Sequence, residues 1–119
     1  MELKIAIKMN PRQENALTYA MQQIRQSDIK EDIDKIILYG SVAKGKSRFQ
    51  SDIDLLFIMK KIDKYNKRPI IFLKGSLTHP DISLPEIDAK FITQETWKKE
   101  HSLYLNNVRK DGICIYGNE

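Results

Sequence analysis

Two apolar runs flank one polar stretch, and their spacing limits the fold more than any other feature of the chain. Lys35-Ile-Ile-Leu-Tyr39 runs into Gly40, and Leu55-Leu-Phe-Ile-Met59 begins directly after the acidic pair Asp52-Ile53-Asp54. Short apolar runs bounded by turn signals read as buried strands. The layout is therefore strand, glycine turn with a helix start, then strand, with the polar residues collected at one end.

Residues i and i+2 of a strand point to the same face. Asp52 and Asp54 thus aim at one spot, their Cα atoms roughly 6–7 Å apart. Carboxylates about 4 Å apart repel by about 4 kcal/mol at an effective dielectric of roughly 20. The following apolar run brings no cation to offset this, whereas a hard, oxygen-seeking ion such as Mg²⁺ would. The plainer alternative is a pair of solvated loop acids ahead of a strand, and Asp-x-Asp alone fits it better.

The other end of the stretch changes that balance. Gly40 allows a tight turn and close approach of a ligand to the backbone. Ser41 brings a hydroxyl and is placed to cap a helix over Val42-Ala43-Lys44. A helix N-terminus suits a phosphate, and Lys44 and Lys46 add cations nearby. A metal-bound nucleoside triphosphate satisfies both ends at once.

Gly40-Ser41, ten residues, then Asp52-Ile53-Asp54 resembles the signature of the DNA polymerase beta-like nucleotidyltransferase superfamily. The wider context, GSxAxGxxxxxSDxDL, resembles its minimal stand-alone branch, the MNT domains often encoded beside a HEPN-domain partner. The resemblance implies an α+β nucleotidyltransferase fold, a small mixed β-sheet with helices packed on it. It also implies two Mg²⁺ ions, ATP as donor, Asp52 and Asp54 as metal ligands, and Gly40 and Ser41 on the β/γ-phosphates. The family places a third carboxylate on the strand beside the Asp-x-Asp strand. Ile87-Asp88-Ala89 fits that pattern within PEIDAKFIT. Asp88 is the expected third catalytic and metal-binding acid; Glu86 is next, Asp81 is close, and an exposed strand-end acid is the plain alternative. For the acceptor, the MNT resemblance implies a HEPN toxin receiving AMP on a tyrosine, hence an antitoxin role. A non-catalytic binding antitoxin and a small-molecule, aminoglycoside-type enzyme stay open beside it.

The rest of the chain sets the frame. Its 119 residues are expected to form one domain over 1–119. The net charge of +4 suits a polyanionic ligand without arguing for extended nucleic-acid binding. The single cysteine, Cys114, rules out an internal disulfide and a multi-cysteine zinc site, and reads as a buried small hydrophobe. No membrane-length apolar segment or signal peptide is visible, so a cytoplasmic location is expected. Leu3, Ile5, Ile7 and Met9 alternate with charged residues. They read as an edge strand, a frayed tail, or a strand pairing with another subunit in a homo-oligomer.

Asn10-Pro11 opens a helix with Gln13 at the capping-box position, and Ala16, Leu17, Ala20, Met21 and Ile24 form its core face. The stretch 60–68 reads as basic and solvated. A helix starting near Lys67 with Pro69 in its first turn competes with a strand at Ile70–Leu73. Thr93 to Lys110 reads as one helix capped by Thr93, with Trp97, Glu100, Tyr104 and Val108 along a face. Gly112 is expected to close it in a left-handed cap, and Ile113–Tyr116 to follow as a short strand or extended tail. His79 and His101 read as ordinary histidines.

Overall fold

A computed structural model describes residues 9–45 and 51–117. Four strands form a mixed sheet in the order β3-β2-β1-β4: β1 (Ile33–Tyr39), β2 (Ile53–Met59), β3 (Ile87–Thr93) and β4 (Ile113–Tyr116). The β1/β2 and β1/β4 pairs are antiparallel, and β2/β3 is parallel. A parallel pair needs a crossover, and helix α3 (Lys67–Ser76) lies in it. The helical alternative for this stretch is therefore the right one. The alternating segment ahead of Met9 lies outside the described residues.

Helix α1 (Pro11–Arg25) starts as its capping signals predict. Asn10 Oδ1 accepts from the Gln13 amide at 2.8 Å, and Gln13 Oε1 accepts from the Asn10 amide at 3.1 Å. Two otherwise unpaired groups are satisfied reciprocally. Its face of Ala16, Leu17, Ala20, Met21 and Ile24 is buried against one side of the sheet, with Ile36, Leu38, Leu55, Phe57 and Ile87. Ile70 and Leu73 of α3 join the same core. Strand alternation sends Ile37, Leu56 and Ile58 to the opposite side, where, among the described residues, Leu105 and Val108 are buried with them.

Several expectations need correction. Strand β1 begins at Ile33, two residues before Lys35. The stretch 60–68 is not simply solvated. Asn66 is buried, donates to Asp32 Oδ2 (3.2 Å) and Lys61 O (3.0 Å), and accepts from the Asp63 amide (2.9 Å). Thr93–Lys110 is two helices, α4 (Gln94–Lys99) and α5 (Leu103–Asp111). Thr93 caps the first, but the chain extends at Glu100 and Ser102 caps the second. Arg109 clamps the break: its guanidinium stacks on Trp97 at 4.5 Å and donates to the carbonyls of Trp97 and Glu100. Cys114 is half-buried, with its thiol donating to Tyr116 O at 3.2 Å. No helix among the described residues is long and apolar enough to cross a membrane.

Gly112 is extended (φ −74°, ψ 154°) rather than left-handed. Its reason is space. A Cβ there would meet Val108 O at 2.4 Å and Ile37 Cγ2 at 2.5 Å, where α5 turns down onto β1. Gly112→Ala is therefore expected to lower stability by about 1–3 kcal/mol, read as a lower urea midpoint at unchanged slope. A midpoint equal to the parent's would refute the packing account.

Candidate functional site

The ends of three strands meet in one row. Tyr39, the last residue of β1, is paired with Asp54 near the start of β2, and Asp54 is paired with Asp88 near the start of β3. All three lie on the more thinly covered face, the side of Ile37, Leu56 and Ile58. Antiparallel β1 ends where β2 begins, and parallel β3 begins beside β2, so topology alone delivers these residues to one edge.

Gly40 follows with φ +78°, a left-handed turn that starts the four-residue helix α2 (Gly40–Ala43). A Cβ on Gly40 would lie 2.3 Å from Asp54 Oδ2. Glycine is thus required twice, by the backbone angle and by the carboxylate resting against it. Ser41 is not the cap expected from the sequence. The helix starts two residues earlier, with Tyr39 at the capping position and no side chain bonding there, so Ser41 lies half-buried in the first turn.

Asp54 is half-buried, and burial raises its pKa first. The Asp88 carboxylate adds to the shift by repulsion and a shared hydrogen bond, and Asp52 adds to it more weakly than Asp88. Lys90 opposes the shift. The sequence placed Asp52 and Asp54 as the tight pair; the fold makes Asp54 and Asp88 the tighter one. Asp52 is exposed, lining a shallow groove of about 320 Å³ with Glu86, Ile82 and Pro85. Glu86 faces that groove, and its carbonyl accepts from the Ile53 amide at 2.9 Å. Asp81 accepts from the Ser83 amide at 2.9 Å and shapes its own turn. Of the three acids on this segment, Asp88 is the one set beside Asp54.

Among the described residues, no three His, Cys, Asp or Glu side chains already converge as metal ligands. The donor chemistry nonetheless fits a divalent ion. Asp54 and Asp88 stand side by side, their mutual repulsion would be relieved by a cation, and an inward turn of Asp52 would make the donor set three carboxylates. Lys44 is exposed and pairs with Asp111 Oδ2 at 3.6 Å. Lys46 lies outside the described residues.

Three neighbours of the acids were not singled out for the site. Tyr104 donates its hydroxyl to the Tyr39 hydroxyl at 2.8 Å, with the rings edge-to-face at 5.7 Å. Burial, then the Tyr104 contact and the nearby Asp54 and Asp88, push the Tyr39 hydroxyl far above its ordinary value, so it stays neutral. Lys90 places its ammonium 5.0 Å from the centre of the Tyr104 ring. Period-two alternation from Asp88 carried a signal for Lys90. Tyr104 is 65 residues from Tyr39 in the chain, and nothing local in the sequence announces their contact.

The family described as polymerase beta, nucleotidyltransferase, matches residues 21–119. No curated protein sequence matches the chain. Among solved structures, the fold is similar to a candidate nucleotidyltransferase from Sulfolobus solfataricus, with TM-score 0.59 and 18% identity over 89% of this chain and 84% of that one. It is also similar to a toxin-antitoxin structure with AMP-PNP, at TM-score 0.55 and 17% identity over 86% and 73% of the two chains. A mutant of the toxin-antitoxin MntA-HpeT gives TM-score 0.56 and 18% identity over 94% and 76%.

A raised carboxyl pKa in the fold favours the protonated form. The stability this lends is present below the unfolded value near 3.8 and is lost as pH rises through the raised folded value of Asp54. Asp54→Asn should therefore make the metal-free protein more stable than the parent at pH 7, with the gap closing as pH falls below about 4. Chemical unfolding across that pH range, in chelator, measures this. A gap independent of pH would contradict it.

Proposed function

The chain belongs to the polymerase beta nucleotidyltransferase family, and from that membership we propose that it transfers a nucleoside monophosphate, AMP from ATP, to a hydroxyl of a HEPN-type toxin partner, acting as its antitoxin. The observation that carries the chemistry is the Asp54–Asp88 register beside the Gly40 turn. A pure binding surface has no physical need to hold two carboxylates against each other.

Asp52, Asp54 and Asp88 would hold two Mg²⁺ ions, which when bound supply charge neutralisation at the phosphates. The chain's own groups position and move the rest. Gly40 and Ser41 receive the β/γ-phosphates at the close turn. The acceptor hydroxyl oxygen attacks the α-phosphorus. The bond from that phosphorus to the bridging oxygen of the β-phosphate breaks, and pyrophosphate leaves with the bonding pair. Asp88, exposed at the outer end of the row, is placed to take the hydroxyl proton. Lys44, tied to Asp111, can steady α2 against α5, and Lys46 remains an assisting cation by its place in the motif.

An acceptor with its own walls suits this site. Among the described residues Asp52, Asp88 and Lys90 are exposed beside the half-buried Asp54, and a protein partner would add cover over them. The toxin-antitoxin assemblies of similar fold, one with AMP-PNP, support that choice by analogy. A binding antitoxin with a silent site is the second outcome that the experiment distinguishes.

Incubation with Mg²⁺ and α-labelled ATP, with and without the partner toxin, separates the two. Label on the partner is expected, with Asp52→Asn and Asp54→Asn each lowering transfer by at least about a hundredfold while circular dichroism stays unchanged. Full transfer by either variant would remove the metal assignment. A stable complex without label would select the silent antitoxin, and label on free drug without a partner would select the small-molecule enzyme.

A further inference from the structure

Lys90 stands on the acid-bearing face of β3, two residues beyond Asp88. It is close enough to act on Asp54, yet among the described residues no carboxylate lies within ion-pair distance of its ammonium. It rests instead over the Tyr104 ring at 5.0 Å, and that ring is pinned by the 2.8 Å bond to the Tyr39 hydroxyl. A neutral aromatic pair thus holds a cation beside the acids without spending its charge on a counter-ion. The plain alternative, a solvated strand lysine with its stem on a ring, does not account for the pinning of that ring.

We infer that Lys90, held by the Tyr39–Tyr104 pair, is an anion subsite on the β3 side of the acids and takes a non-bridging oxygen of the nucleotide's α-phosphate. The side follows from sheet order. Strand β2 lies between β1, which carries Gly40 and Ser41 at its end, and β3, which carries Lys90. Lys90 is level with Leu56 and Ile37, three residues inward of Gly40, so the two backbone positions are roughly 14 Å apart, and the Lys90 ammonium, lying over the Tyr104 ring that meets Tyr39, spans part of that distance. A triphosphate with its β/γ end on the Gly40 turn runs across Asp54 toward β3, and its α end reaches Lys90. The assignment rests on the nucleotidyltransferase reading above.

The test uses binding, not turnover. Titration calorimetry with Mg²⁺ compares AMP, which keeps only the α-phosphate, with pyrophosphate, which lacks it. Lys90→Met should weaken AMP by about tenfold and leave pyrophosphate within twofold, Lys90→Arg should restore AMP, and Ser41→Ala should weaken pyrophosphate more than AMP. The position is exposed, so both lysine variants should fold, and Lys90→Gln gives a third. Unchanged AMP affinity in Lys90→Met, or equal losses for both ligands, overturns the assignment and leaves the nucleotidyltransferase reading standing. A parent protein that binds neither ligand overturns both.

Discussion

Two carboxylates held in register by backbone hydrogen bonds cannot separate to relax their repulsion, and the arrangement at Asp54 and Asp88 depends on that fixity. Parallel pairing sets one beside the other, and Gly40 closes off the inner side by resting against an Asp54 oxygen. Burial then makes the charge on Asp54 costly to hold. Strand ends are rigid, so the strain is met by protonation, by Lys90, or by an arriving cation. Rigidity of the frame keeps that local electrostatic cost in place, where a cation would offset it.

Much of this could be read from the residues. Asn10, Pro11 and Gln13 announced α1 because capping is local chemistry, confined to four residues. Both central strands and the Gly40 turn were legible for a similar reason: apolar runs and an obligatory glycine carry their own signal. Asp88 was singled out because Ile87-Asp88-Ala89 resembles the family's third-carboxylate context, and its pairing with Asp54 follows from a strand order that no local pattern encodes.

What escaped was decided by tertiary contacts. The break between α4 and α5 has no proline or glycine; Ser102 and the reach of Arg109 to Trp97 and Glu100 make it. Gly112 looked like a helix terminator and is a packing necessity, because the crowding comes from Ile37 on a distant strand as well as from Val108. Ser41 lost the capping role since the helix begins at Gly40, two residues early. Tyr104 joined the site only because α5 folds back over the end of β1.

The two faces of the sheet are unequal, and this has a consequence for how the molecule breathes. The α1/α3 side carries most of the buried apolar side chains, while α4 and α5 cover the other with Leu105, Val108 and a partly buried Trp97. Opening free energies track such burial. Amides of α5 should exchange with solvent through a small local opening while β1 and β2 exchange only on global unfolding. The acids stand on the loosely covered side, so their surroundings can rearrange without disturbing the fold's reserve of stability. A chain built this way can alter its recognition surface over evolutionary time by substitutions in α4 and α5 that leave the sheet and its thicker core untouched.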